Sequence, residues 1–213
     1  MTLRWIDVTM PLEDGMPAWP GDVPFSLDAT ERIARGGGCN LSSVTLSVHA
    51  GTHIDAPWHF IDGAPGVDEL DPALFFGPAR VLEIMGKTAI SAEDLGTESL
   101  PPRLLLKTMD TFSHAREPFR EDFVALRPCA AQRLVDEGVA LVGIDYLSIG
   151  LFGQEGDETH RTLLEAGIIV VEGLMLGSVP PGDCGFVALP LRIAGAEAAP
   201  CRAFVARHEE ESS

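Results

Sequence analysis

The alternation of apolar and polar residues gives the first indication of structure in this chain. In NLSSVTLSVH (40–49), Leu41, Val44, Leu46 and Val48 are set against polar neighbours with one slip, which is typical of a strand. Other short runs are mostly apolar, several of them continuous as in strands buried on both faces. These runs predict further strands at 79–86, 103–108, 139–145, 168–176, 186–193 and 201–207.

Short helices are predicted between these strands. One begins at Ser91, a second covers 128–137 with Pro128 in its opening turn and Gly138 at its end, and a third covers 160–167. Because strands outnumber helices, we predict an α/β fold in which short helices flank a mixed, barrel-like central sheet.

Length, charge and cysteine content exclude several classes of protein. The 213 residues suit one α/β domain, so we expect a single domain over 1–213, with a frayed acidic tail at 208–213. The formal net charge of −17 argues against nucleic acid or an anionic membrane as the main partner. No apolar run reaches signal-peptide or membrane-spanning length, and the four cysteines form no C-x-x-C pair. We therefore expect a cytoplasmic protein with reduced thiols.

One segment gathers most of the candidate chemistry. SVHAGTHIDAPWHF (47–60) holds three of the six histidines and one carboxylate. His53 and Asp55 are two residues apart, so in extended backbone their side chains point the same way. His49 is expected to end the preceding strand, four residues before His53. All three side chains then converge on one side, provided that Gly51 only bends the strand.

Two imidazoles and a carboxylate are the ligand set of many catalytic zinc, manganese or iron sites with open positions for water or substrate. His59 follows just beyond the turn that Pro57 imposes. The alternative is a polar loop that happens to be rich in histidine. The even spacing of His49, His53 and Asp55 favours a metal site.

A second segment contains a carboxylate in an apolar context. Glu172 interrupts the apolar run GIIVVEGLML, and a buried carboxylate must be neutral, ion-paired or bound to a metal. His160 lies twelve residues earlier, at the start of the predicted helix. The two residues either complete one metal site or form a second site that shares Asp55. A strand that ends at Val171 would instead leave Glu172 in solvent.

These residues resemble the cyclase-like metal-dependent hydrolases, a family that includes bacterial kynurenine formamidase and isatin hydrolase. The likeness is carried by HAGTHIDAPWHF and extends through MPLEDGMPAWPGD, CNLSSVTLS, LVGID and VVEGLML…VPPGD…ALPL…PCRA. It covers nearly the whole chain in order. The resemblance implies the swivelling β/β/α fold, a homodimer, and a divalent site that is usually zinc in formamidases and manganese in isatin hydrolase.

The resemblance also implies which residues hold the metal. It assigns one ion to His49, His53 and Asp55, and a second zinc to Asp55, His160 and Glu172. The number and identity of the ions stay open at this point.

Substrate roles follow from the same resemblance. His59 would be the catalytic acid/base, and Trp19, in a proline-rich loop, would lie over an aromatic amide such as N-formylkynurenine. Hydroxide generated at the metal would attack the formyl carbon. Two positions depart from the formamidase pattern: Tyr146-Leu147-Ser148 replaces a Thr-Pro continuation, and Cys184 stands where tyrosine is expected. These departures leave the ligands intact and concern the substrate.

Several other functions compete with arylformamide hydrolysis. The same site suits a cyclic amide or lactone hydrolase of the isatin type, or a cyclase or dehydratase. A non-catalytic metal- or ligand-binding protein is another class, which would close the site with four protein ligands. A serine nucleophile is disfavoured because the chain has no G-x-S-x-G, and the glycines at 36–38 do not form a dinucleotide-binding loop.

Overall fold

Residues 3–109 and 117–208 are described by a computed structural model of the chain. In this part of the chain the two α-helices are α1 (Pro128–Asp136) and α2 (Gln154–Glu165). The strands are β1 (Leu3–Asp7), β2 (Ser26–Glu31), β3 (Leu41–Thr45), β4 (His53–Asp55), β5 (Phe76–Glu83), β6 (Arg103–Lys107), β7 (Leu141–Ile144), β8 (Ile169–Glu172), β9 (Gly182–Pro190) and β10 (Ala198–His208). None of the helices in these ranges is both long and apolar enough to cross a membrane.

The main sheet closes into a barrel. Its strands follow the order β1-β10-β4-β8-β7-β6-β5-β9, and β9 pairs back onto β10. The neighbours β5, β6, β7 and β8 run parallel, whereas the pairs that involve β4, β9 and β10 are antiparallel. β2 and β3 form a separate two-stranded sheet. The prediction of a mixed, barrel-like sheet with short helices is thus confirmed.

Continuous apolar runs form the parallel strands because both of their faces are buried. Leu105 of β6 points into the barrel, where it joins a core that includes Val171 of β8. Leu104 and Leu106 point outwards and pack in a second core with residues of α1 and α2. Side chains that alternate between two apolar environments leave no polar positions in the pattern.

Several predicted boundaries need correction. The strand expected at 40–49 ends at Thr45, so His49 lies in a turn and not at a strand end. The helix expected at 160–167 begins at Gln154, which places His160 in its second half. His208, the first residue of the expected frayed tail, still pairs with Leu3; the other tail residues, 209–213, lie outside the described ranges.

Other boundaries match the prediction closely. The helix expected at 128–137 is α1, with Pro128 in its first turn and Gly138 in a left-handed conformation after its end. Ser91 precedes a single 3-10 turn, and its backbone N–H donates to the Asp94 carboxylate at 2.8 Å. One further boundary needs correction: the strand predicted at 168–176 begins at Ile169 and already ends at Glu172.

Candidate metal centre

Strand β4 places two candidate ligands in the wall of the barrel. It lies between β8 and β10, with His53 paired to Glu172 and Asp55 paired to Ala198. Hydrogen bonds on both sides fix the strand, so the side chains of His53 and Asp55 are held on one face. Both residues are buried, with 1% and 0% of their surface exposed, respectively.

His49 and His59 approach the same point from the turns on either side of β4. Gly51 adopts φ 64°, and a side chain there would lie 2.8 Å from Leu12. The turn at Gly51 brings His49 back beside β4, where its Nδ1 is 3.0 Å from Asp55 Oδ1. His59 ends the 3-10 turn Pro57–His59, and its ring centre is 4.3 Å from that of His49.

Helix α2 and strand β8 supply the remaining candidates. His160 Nε2 is 3.1 Å from Glu172 Oε1, and the same oxygen accepts a hydrogen bond from the Ile149 backbone N–H at 2.7 Å. Glu172 is the last residue of β8 and is 4% exposed, so the solvent-exposed alternative does not hold. Its other oxygen, Oε2, lies 3.3 Å from His53 Nε2.

The ligand atoms fall into two groups that share Asp55. One group contains His49, Asp55 and His59, and the other contains His53, Asp55 and Glu172; within each group the atoms lie within 4.8 Å of one another. The grouping differs from the one that the resemblance implies, because His53 is paired with Glu172 and not with His49. The assignment of individual ions to ligands stays a prediction.

Unpaired polar atoms in this centre fit a cation. Within the described ranges, His53 Nε2 and both carboxylate oxygens of Asp55 are buried without a hydrogen bond of good geometry, although imidazole nitrogens lie 3.0 and 3.4 Å from Asp55 Oδ1. His53 Nδ1 is 2.9 Å from the Gly51 carbonyl oxygen. A carbonyl only accepts, so Nδ1 carries a proton and Nε2 is the nitrogen that can bind a metal ion in place of its own proton. Lone pairs and a buried carboxylate facing one another suit a divalent metal ion.

The pKa values of His53 and Asp55 also indicate that this centre attracts positive charge. Burial acts to lower the pKa of His53, but the carboxylates of Asp55 and Glu172 outweigh it and raise that pKa to about 10. Burial acts to raise the pKa of Asp55, yet the nearby imidazoles of His49 and His53 hold it well below its usual value. The centre therefore attracts either protons or a metal ion, which compete for the same atoms.

His59 has a different electrostatic environment. Burial lowers its pKa from the usual value, and the neighbouring carboxylates do not offset this. Its imidazole is therefore neutral at neutral pH and available as a proton acceptor.

An aromatic cleft opens over the centre. His49, His59, His160 and Glu172 line it, and Trp19 forms part of its wall. The Trp19 ring packs against two phenylalanine rings. Its ring centre is 5.0 Å from that of Phe119 and 5.4 Å from that of Phe152. Five of the predicted site residues thus line one cleft, and the other two, His53 and Asp55, are buried next to Glu172 and His49.

Two of the positions that depart from the formamidase pattern also line this cleft. Leu147 and Ser148 contribute to its wall, whereas Tyr146 bonds to the backbone of Arg120 through its hydroxyl. Cys184 lies on β9, half-buried and apart from the residues that line the cleft. The departures at 147 and 148 therefore face the space where a substrate would bind.

Sequence reasoning missed some residues that shape the site. The Phe60 ring stacks on the ring of His160 at 4.8 Å, and Arg161 donates to the Phe60 carbonyl at 2.8 Å. Phe60 was in the histidine-rich segment, but nothing in its spacing from His160 signals the contact. Glu197 lies beside His49 from a distant part of the chain, without any signal in the sequence.

Comparison with known proteins gives consistent matches. The model of the family described as "Putative cyclase" matches residues 6–150. The kynurenine formamidase of Bacillus cereus is 35% identical over 207 residues, which cover 96% of this chain and 98% of that protein. A solved structure described as a potential metal-dependent hydrolase with cyclase activity superposes with a TM-score of 0.82 at 32% identity, over 98% of this chain and all of the other.

One further structure shares the fold. Isatin hydrolase A from Labrenzia aggregata superposes with a TM-score of 0.82, over 97% of this chain and 94% of that protein. Its sequence identity is 20%, so this likeness concerns the fold alone.

Proposed function

The chain belongs to the cyclase family, and from that premise we propose that it is a metal-dependent hydrolase that cleaves the C–N bond of a small arylformamide. N-formylkynurenine, a formyl group on an aniline nitrogen, is the model substrate. The full-length similarity to a kynurenine formamidase supports this substrate class. The observation that carries the proposal is the pair of ligand groups that share Asp55 at the base of an aromatic cleft.

The chain's own residues suit this reaction. Divalent ions held by the predicted metal ligands would supply Lewis-acid charge and hydroxide at neutral pH. His59, neutral because of its burial, is placed to take up a proton and deliver it to the leaving aniline nitrogen. Trp19 offers an aromatic face for the aniline ring.

Zinc is the ion that we propose, with manganese as the alternative. Imidazole and carboxylate ligands in groups of three are typical of catalytic zinc, which keeps a fourth position open. The predicted ligands form two sets of three that share Asp55, namely His49, His53 and Asp55 for one ion and Asp55, His160 and Glu172 for the other, so each set leaves room for water or substrate. We propose two ions per chain, with His59 kept free as the proton carrier.

A direct comparison of substrates tests the proposed activity. We expect the purified protein to release formate from N-formylkynurenine with a kcat/KM at least about tenfold above that for ring opening of isatin, a difference of roughly 1.4 kcal/mol in transition-state binding. Faster turnover of isatin would favour the cyclic amide hydrolase. A product that has lost water would favour the cyclase or dehydratase, and no turnover of either substrate would contradict the proposed activity.

We also propose that the protein is a cytoplasmic homodimer. The β2–β3 hairpin exposes a set of large apolar side chains, each more than 50% exposed: Leu27, Ile33, Leu41 and Val44. Leu27 and Val44 are cross-strand partners, so they form one apolar surface. A two-stranded hairpin is marginal in water by itself, and a second copy of the chain would cover this face by two-fold symmetry.

A charge on this face should separate the two copies. We expect the Leu27→Lys, Val44→Lys double variant to elute as a monomer near the chain mass of 22.8 kDa, and the unmodified protein to elute at twice that mass in light scattering. The cause is the cost of burying two ammonium groups per chain in an apolar contact. Asp28→Lys serves as the control, since it adds charge on the opposite face of β2. A variant that stays dimeric would place the interface elsewhere.

A further inference from the structure

The loop between β1 and β2 carries Trp19 on a tight turn. Residues 19–22, WPGD, form this turn, in which the Asp22 N–H donates to the Trp19 carbonyl oxygen at 3.0 Å. Pro20 suits the second position of such a turn, and Gly21, at φ 97°, suits the third. Because Trp19 and Asp22 are the two ends of one closed turn, an interaction that fixes Asp22 also restrains Trp19.

The turn that carries His49 is closed in a similar way. The Ala50 N–H donates to the Ser47 carbonyl oxygen at 3.0 Å, and the His49 N–H donates to the Ser47 hydroxyl at 3.2 Å. A serine hydroxyl that accepts from the N–H two residues later stabilises a turn of this kind. The same hydroxyl keeps its own proton to donate elsewhere.

A hydrogen bond between two side chains joins these turns. The Ser47 hydroxyl donates to Asp22 Oδ2 at 2.8 Å, and both residues are half-buried. The acceptor is a carboxylate, so the bond is stronger than one between neutral groups. Ser47 therefore holds the turn of Trp19 and the turn of His49 at once, through one oxygen atom.

The ring of Trp19 is restrained separately, by aromatic packing. Its ring centre lies 5.0 Å from that of Phe119, 6.3 Å from that of Phe123 and 5.4 Å from that of Phe152. Apolar packing is not directional, so it does not by itself fix where the loop stands relative to the metal ligands. The hydrogen bond to Ser47 supplies a directional link between the Trp19 turn and the histidine-rich segment.

We infer that Asp22 is a positioning residue: by accepting the Ser47 hydroxyl, it holds the loop so that Trp19 stands over the metal centre before a substrate binds. The inference rests on the proposed function for what Trp19 covers, an arylformamide. Trp19 and His49 both line the cleft, so the bond joins the predicted aromatic wall to a predicted ligand turn. Without it, the loop would also populate positions in which Trp19 is displaced, and substrate binding would have to select the competent one.

The first experiment separates substrate binding from chemistry. For Asp22→Ala we expect KM for N-formylkynurenine to rise about tenfold, as for loss of a hydrogen bond to a charged group near the surface. We expect kcat and metal content to stay at the unmodified values, because the bound complex still has Trp19 and all the predicted metal ligands in place. Asp22→Asn should recover most of the loss, since its amide oxygen still accepts from the Ser47 hydroxyl.

Asp62→Ala is the control for charge, because it removes an exposed carboxylate and should leave KM unchanged. An unchanged KM in Asp22→Ala would overturn the inference. An equal rise in the alanine and asparagine variants would indicate a charge effect, and a lower kcat or a lost ion in Asp22→Ala would indicate an action on the metal centre. Either result also overturns it.

A second variant removes the same bond from its other end. Ser47→Ala also frees the His49 N–H, so its own effect includes any change at the metal ligands. Adding Asp22→Ala to Ser47→Ala should change KM no further, because the bond between the two is already absent. A further rise as large as that in Asp22→Ala alone would show that Asp22 acts without Ser47, which contradicts the inference.

The exposure of Trp19 gives a readout that needs neither substrate nor metal. The other two tryptophans are Trp5 and Trp58, so a Trp5→Phe, Trp58→Phe parent reports Trp19 alone. Acrylamide should quench the fluorescence of Trp19 more strongly when Asp22→Ala is added to this parent, and to the parent's extent when Asp22→Asn is added. Equal quenching in all three proteins would refute the positioning role.

The two proposals fail separately. If quenching responds as expected but no arylformamide is cleaved, the proposed function fails and the positioning role of Asp22 stands. If arylformamides are cleaved while KM and quenching are the same in Asp22→Ala, the reverse holds.

Discussion

Replacing Asp55 by alanine is expected to abolish activity, with a loss on the order of a thousandfold or more in kcat/KM. Asp55 belongs to both ligand groups, so its removal takes a carboxylate from each ion at once. The purified variant should contain less than one ion per chain by elemental analysis. Formate release from N-formylkynurenine should fall to the same extent as the metal content or further.

Asp62→Ala is the matched control for this variant. Asp62 is exposed and lies just beyond the histidine-rich segment, so its removal changes the charge without touching a ligand. We expect wild-type metal content and activity from it. An Asp55→Ala protein that is folded, holds two ions and turns over normally would contradict the shared role of Asp55.

Replacing His59 by alanine is expected to lower kcat by about 10² to 10⁴-fold, the usual contribution of a general acid or base. The cause is the loss of the imidazole that carries the proton to the leaving nitrogen. The metal content should stay at two ions per chain, because all the predicted metal ligands remain: His49, His53, Asp55, His160 and Glu172. Steady-state kinetics and elemental analysis on one preparation measure both quantities.

Metal content decides between two roles for His59. Its ring lies 4.3 Å from that of His49, and it belongs to one ligand group by distance. Loss of one ion together with activity would make His59 a ligand and contradict its role as proton carrier. His208→Ala, which removes an exposed histidine at the end of β10, controls for the general effect of losing an imidazole.

The sequence predicted the parts of the fold whose patterns come from local geometry. Alternation placed His53 and Asp55 on one face of an extended segment, and the structure has them on β4. The carboxylate within an apolar run indicated a buried Glu172, and it is buried. Pro128 and Gly138 marked the ends of α1 because each has a backbone preference that suits its place.

Features that depend on distant contacts could not be predicted. The first turns of α2, GQEGDET, are polar and contain Gly156, a poor helix former. A side chain at 156 would lie 1.9 Å from the Leu151 carbonyl oxygen, so only glycine permits that close approach. β2 has no apolar period because both of its faces are largely exposed. Glu197 reaches His49 through strand pairing alone.

The division of the ligands into two groups also needed the structure. His49 and His53 share the even spacing of a strand, which suggested one common ion. The turn at Gly51 breaks that strand and places His49 beside His59, while pairing of β4 with β8 places His53 beside Glu172. The spacing predicted which residues are candidate metal ligands, and the strand pairing decides which of them lie together.

The most direct test of the central claim is removal and return of the metal. The protein is stripped with a chelator, and hydrolysis of N-formylkynurenine is followed while Zn²⁺ or Mn²⁺ is titrated back. We predict that the stripped protein is inactive and that activity returns in proportion to bound metal, up to two ions per chain. Full turnover by protein that elemental analysis finds free of metal would contradict the account.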